Sequence, residues 1–365
     1  MNDGQKAAMS LTEEVKGSIR ISYALRRLPE DRIASVLPCP DSPQAGEIVL
    51  AELEKIGKNA SLELPNGRRC NLHEGDRLAV VFGNRYATMQ FEGYVRADGR
   101  GCDLLSMGGV CGLVASKHAS VAEPSKLRLL GAIGDDHGRP LRLSEFAVAP
   151  TPALEHPRVI VVCGTSMEAG KTYTVASLIK GLRRQGHRVA GIKLTGTATG
   201  KDTWSMLDAG ACVALDFVDG GYPSTYLSTL EELLNLYGLL INHAASRRVE
   251  WVVVEVADGV LQRETAALLQ TWRFTTSVDA WLFAAGDPLG AAAGIRVLRD
   301  WGIDPLAISG VVSMSPLGMK EAQAATGLPC ITGKELQSGG LNARLLKMVP
   351  GLVPDSSAAP TSVAA

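Results

Sequence analysis

The chain has no cysteine pair at C-x-x-C spacing, no apolar run of membrane-spanning length and no excess of charge of either sign. Each absence removes a class of protein. Its seven cysteines, at positions 39, 70, 102, 111, 163, 212 and 330, are scattered and odd in number. That argues against a disulfide framework and a zinc knuckle, and it points to reduced thiols in a cytoplasmic protein. A formal charge of −1 without a long basic run gives no electrostatic reason to bind nucleic acid, so a small-molecule partner is expected. The N-terminal stretch MNDGQKAAMSLTEEVKGS lacks the apolar core of a signal peptide, so no membrane association is expected. The histidines stand singly, without metal-ligand spacing, and no internal repeat is evident.

At 365 residues the chain exceeds what one core usually holds, and its texture changes midway. Between about Gly46 and Val95, short apolar alternations such as EIVLAEL and DRLAVVFG are broken by Gly, Asn and Asp. This predicts consecutive short strands, hence a small β-rich barrel or sandwich over 1–149, with a hairpin turn at Asp135 to Gly138. A proline-bearing linker, 150–157, follows, and a cut there is expected to leave a 158–350 fragment that still binds its ligand. The small-residue tail 351–365 is expected to be disordered.

From Arg158 onward strands and helices alternate, with strands expected near 159–163, 188–193, 213–217, 250–256, 278–285, 306–313 and 328–331. Helices are expected notably at 171–185, 229–246, 290–301 and 318–326. Runs such as WVVVEVA and AWLFAA are apolar on both faces. They imply a mostly parallel sheet covered by helices on both sides, a doubly wound α/β domain whose ligands bind at the carboxyl ends of the strands.

The most informative stretch is VIVVCGTSMEAGKTYT, Val159 to Thr174. Five apolar residues lead to Gly164, a turn follows, and Gly170-Lys171-Thr172 opens a segment with Val175, Leu178, Ile179 and Leu182 at helical spacing. This order reads as a phosphate-binding loop, with five residues between its glycines instead of the usual four. Backbone N–H groups of Gly164, Thr165, Ser166, Met167, Ala169, Gly170, Lys171, Thr172 and Tyr173 can surround the phosphates of ATP or GTP. Lys171 can reach the outer phosphates and the Thr172 hydroxyl can ligate Mg²⁺.

Polar residues after the other strands should crowd the same ligand. Lys193, Thr195, Lys201 and Asp202 follow the second strand, and Glu255 sits inside the apolar fourth, with Asp258, Gln262 and Arg263 behind it. A lone buried carboxylate is costly unless paired or metal-bound, so Glu255 is a candidate Mg²⁺ ligand. After the third strand, DFVDGGYPSTY offers Asp219, Ser224, Thr225 and Tyr226, either as a second-substrate loop or as a capped turn. Asp258 and Arg263 are further substrate candidates, although Arg263 and Glu264 also fit a solvated first helical turn. Arg85 and Tyr86 in the front region are explained mostly by a β-turn at Gly83-Asn84.

The loop GTSMEAGKT resembles the GT-x-T-x-x-GKT loop of dethiobiotin synthetases. KLTG at Lys193 to Gly196 is similar to that family's K-P-V-x-[ST]-G segment, and EVADG at Glu255 to Gly259 to its EG-x-GG. The wider group, which includes cobyrinic acid diamide synthases, binds ATP or GTP with Mg²⁺ on such a sheet, commonly as a homodimer. The resemblance covers roughly 158–345. It implies that Lys171 and Thr172 hold phosphates and metal, that Asp202 and Glu255 complete the metal site, and that Lys193 faces the transferred phosphoryl group. It also implies that Glu168 lies near metal and substrate amine, where the alternative is a solvent-facing loop residue; for Asp202 the alternative is a helix N-cap. Leu194, Val256 and Asp258 depart from the family pattern where it shapes the substrate floor, so the chain is not read as a dethiobiotin synthetase itself. The implied activity is Mg²⁺-dependent phosphoryl transfer that activates a small acid or amine. The alternative is a regulatory or assembly NTPase whose β-region binds a protein partner.

Overall fold

The computed structural model describes residues 9–152 and 156–341. The tail expected at 351–365 lies outside the described residues, as do 342–350 and the middle of the linker. Among the described residues, no helix is long and apolar enough to cross a membrane.

In the front region the strands Ile48–Lys55, Arg77–Phe82, Val110–Lys117, Gly101–Leu104 and Ser125–Gly134 pair in a closed circuit, the last returning to the first. Side-chain alternation divides these strands between two cores. Leu78, Val80 and Phe82 join Val49, Ala51, Leu104 and Leu129 inside the barrel. Ala79 and Val81, on the opposite face, join Ile48, Leu50 and Ile133 in a cluster that continues into the second half of the chain. The expected turn forms at Asp135, whose carbonyl accepts from Gly138 N at 3.1 Å.

The rear half is a six-stranded, wholly parallel sheet. Its strands are β1 (Arg158–Gly164), β2 (Val189–Lys193), β3 (Val213–Asp216), β4 (Trp251–Glu255), β5 (Ala280–Ala284) and β6 (Ala307–Ser309), in the order β3-β2-β4-β1-β5-β6. The crossovers include α1 (Lys171–Arg184), α2 (Lys201–Asp208), α3 (Leu230–Ala245), α4 (Arg263–Gln270) and α5 (Pro288–Asp300). Ile160 and Val162 of β1 pack with Val175, Leu178 and Leu182 of α1. Val159 and Val161 face the other way, into the cluster that holds Leu233 and Leu240 of α3 and Ile295 of α5. A strand buried on both faces must be apolar at every position, which is why β1 reads as a continuous run.

Two expected strands are cut back. β6 stops at Ser309 because Gly310 takes a φ of 91° and a 3₁₀ turn, Val311–Met314, follows. Residues 328–331 make only an isolated bridge, Ile308 with Cys330, where Pro329 has no N–H to donate.

One buried cluster lies wholly in the front region and one wholly in the rear, and a third crosses the linker. The shared cluster joins Ile48, Leu141 and Phe146 to Phe217, Val218 and Leu233. Backbones also meet closely: a Cβ on Gly108 would stand 2.1 Å from the Ala198 carbonyl oxygen. Buried polar groups tie the halves as well. Tyr23 Oη donates to Asp216 Oδ2 at 2.8 Å, and Arg26 Nη2 donates to Asp216 at 2.8 Å and to Asp219 at 2.6 Å.

Candidate functional site

The loop between β1 and α1 closes on Gly170, whose φ of 93° is left-handed and whose Cβ, if present, would stand 2.9 Å from Gly310 Cα. Only glycine meets both demands. No side chain caps the start of α1, so first-turn N–H groups remain available to an anion, and the helix dipole favours one there. Lys171 Nζ folds back to the Ser166 carbonyl at 2.7 Å. Its pKa is lowered, chiefly by burial and against the pull of Glu255 and Asp258. An anion arriving in the loop would restore the charge that burial disfavours.

Three elements then converge on Thr172. Its hydroxyl lies 3.1 Å from Asp202 Oδ1, in the first turn of α2, and 3.0 Å from Glu255 Oε1, at the end of β4. A hydroxyl carries one proton and cannot donate to both carboxylates. Lys193, at the end of β2, pairs with Asp202 Oδ2 and is held above its ordinary pKa: burial opposes the charge, but Asp202 and Glu255 outweigh it. Glu255 is almost wholly buried, and its Oε2 has no hydrogen-bond partner. Burial, followed by the charge of Asp202, pushes its pKa up to about 7. An orphaned buried carboxylate oxygen beside a hydroxyl and a second carboxylate is an all-oxygen set of the kind hard divalent cations take. Among the described residues no group of three or more His, Cys, Asp or Glu gathers to hold a metal. Two carboxylates and Thr172 fit a Mg²⁺ that takes its remaining ligands from water and phosphate.

These residues line a cavity of about 600 Å³ together with Met167, Glu168, Gly170 and Tyr173 of the loop, Lys193, and Asp258. Glu168 is exposed, with a φ of 67°, at its edge. Asp202 is not the cap of α2, a position taken by Gly200; its carboxylate serves Thr172 and Lys193 instead. Asp258 has a φ of 62°, and burial raises its pKa.

The other substrate candidates lie outside this cavity. Asp219 is spent on Arg26 and on the backbone N–H of Asp216, 2.9 Å away. Thr225 Oγ1 accepts from Gly196 N at 2.8 Å, and Ser224 Oγ accepts from Tyr226 N at 3.2 Å. Tyr226 packs at a 47° tilt against Tyr86, ring centroids 5.4 Å apart, and donates to Glu92. Ser224 and Tyr226 border a separate hollow of about 360 Å³. Arg263 is exposed beside Glu264.

In their place the front region supplies Arg85, Tyr86, Ala87 and Gln90 to the cavity wall. A further front-region residue supports the start of α2. Glu63 accepts from Gly200 N at 2.8 Å and from Trp204 Nε1 at 3.1 Å, fixing the turn that presents Asp202. No local signal marks Glu63, since its partners lie about 140 residues away in sequence.

A parallel sheet, a glycine-bounded turn and a lysine opening the next helix define an α/β fold of the phosphate-loop type. No family model and no curated protein matches the chain. Among solved structures it is similar to the Signal Recognition Particle 54 kDa protein of Aeropyrum pernix in complex with GDP, with a TM-score of 0.35 and 20% identity over 54% of this chain and 48% of that one. It is also similar to the signal recognition particle receptor FtsY of Elizabethkingia anophelis in complex with GDP, with a TM-score of 0.34 and 14% identity over 53% of this chain and 63% of that one. The chain thus spans about half the length of the first and less than two thirds of the second.

Proposed function

We propose that the cavity binds a Mg²⁺-nucleoside triphosphate and that the protein activates a small acid or amine by phosphoryl transfer, in the manner of the dethiobiotin and cobyrinic acid synthase group. The observation that carries this reading is the Thr172 hydroxyl at the head of α1, set between Asp202 and a Glu255 whose second oxygen has no partner. Thr172, Asp202 and Glu255 would hold the cation, which when bound supplies charge neutralisation at phosphate oxygens. Lys171 leaves the Ser166 carbonyl for the outer phosphates. Lys193, kept charged by its carboxylate neighbours, balances charge on the transferred group. Glu168 and Asp258 present carboxylates at the same cavity, suited to attract an amine or take its proton.

The test is nucleotide turnover measured with Mg²⁺-ATP and Mg²⁺-GTP, alone and with pools of small carboxylic acids and amines. Turnover that rises only with a metabolite, with a phosphorylated or condensed product detected by mass spectrometry, supports the reading. Turnover that responds to a protein partner and to no metabolite points to a regulatory NTPase instead.

A further inference from the structure

Arg85 has no role in the resemblance described above, because it belongs to the barrel region. It follows Gly83-Asn84 at the start of the short strand Arg85–Tyr86, on the edge of the large sheet. Its Nη1 donates to the Leu105 carbonyl, and its Nη2 reaches Gln90 Oε1 at only 3.4 Å. The buried Nε–H has no partner. An arginine placed only to tie down a loop would be expected to satisfy its fork more fully, since an unpaired buried donor is costly. The same side chain lines the cavity that holds Lys171, Thr172 and Lys193, where Asp258 acts on its charge without a hydrogen bond to it.

On the reading of the cavity as a nucleotide site, we infer that Arg85 is an oxyanion-binding residue that the barrel contributes to the same cavity as Lys171. A planar guanidinium suits a tetrahedral or planar oxyanion, and it stays charged here even though burial lowers its pKa to about 10. The anion is a phosphoryl or carboxyl group, either the terminal phosphate of the nucleotide or the acidic group of the second substrate.

The experiment titrates inorganic phosphate, by calorimetry, into the full chain with and without saturating Mg²⁺-ADP, comparing the parent with Arg85→Gln and Arg85→Lys. Melting temperatures of the variants monitor folding. The expected result is a loss of phosphate affinity of roughly tenfold to a hundredfold in Arg85→Gln, with partial recovery in Arg85→Lys and with ADP affinity changed less than about twofold. A parallel comparison of Mg²⁺-AMPPNP with Mg²⁺-ADP identifies the source. Loss of the triphosphate preference in Arg85→Gln assigns the terminal phosphate, and an unchanged preference assigns the second substrate. Equal phosphate affinity in parent and Arg85→Gln, no phosphate binding by the parent in either condition, or parallel loss of ADP and phosphate in Arg85→Gln would overturn the inference. A parent that takes up phosphate through Arg85 but never binds Mg²⁺-ADP would leave Arg85 an anion site and overturn only the nucleotide reading.

Discussion

The Thr172 hydroxyl stands 3.0 Å from one oxygen of Glu255, while the other oxygen of that carboxylate is buried without a partner. A threonine from the first turn of a helix and a glutamate from the end of a neighbouring strand thus meet in a half-satisfied pair. Half-satisfied buried polar groups are costly, and a cation is the simplest group that would complete this one.

Replacing Glu255 with Gln should weaken Mg²⁺-dependent nucleotide binding by about tenfold or more while changing metal-free binding little, because the charge acts through the cation. Titrations with Mg²⁺ and with EDTA separate the two. Equal losses in both would make Glu255 a structural residue.

The elevated pKa of Glu255 has a definite sign. A carboxyl whose pKa rises on folding adds stability that is fully present below its unfolded value, near 4.5, and is lost as pH rises through about 7. The metal-free protein should therefore melt at lower temperature at pH 7.5 than at pH 5.5 through this group. Glu255→Gln should flatten that dependence. Binding of Mg²⁺-nucleotide near pH 7 should release a fraction of a proton, measurable by calorimetry in buffers of different ionisation enthalpy.

Arg26→Ala would leave Asp216 buried without its cation and Asp219 with only Arg27, 3.7 Å away. Breaking such a buried pair costs about 3–5 kcal/mol, so urea denaturation should show a loss of that order. The same contact changes the expectation for a cut at the linker. A 158–350 fragment loses Arg26 and exposes Phe217, Val218 and Leu233, so it should aggregate or lose cooperative melting. Static light scattering on the fragment checks this.

What the sequence made legible was local. The phosphate loop, its lysine and its threonine lie within one strand–turn–helix, where each residue type is demanded by its immediate neighbours. Glu255 was legible because a charge in an apolar strand conflicts with burial, and that conflict shows in five consecutive letters. The ties of the polar run at Asp219 were not legible for the opposite reason: its partner Arg26 lies 193 residues upstream, and nothing near Asp219 announces that cation. Arg85 and Glu63 were hidden in the same way. Both sit on short strands, and only long-range folding brings Arg85 to the cavity and Glu63 to the turn before α2.

The most direct test of the central claim is a calorimetric titration of Mg²⁺-ATP and Mg²⁺-GTP into the parent and Lys171→Ala, with melting curves for both. The account predicts binding of at least one nucleotide by the parent, an affinity lowered about tenfold or more in the variant, and no lower melting temperature, since the substitution removes a charge that burial already disfavours. Equal affinity in the two proteins, or a parent that binds neither nucleotide, would contradict it.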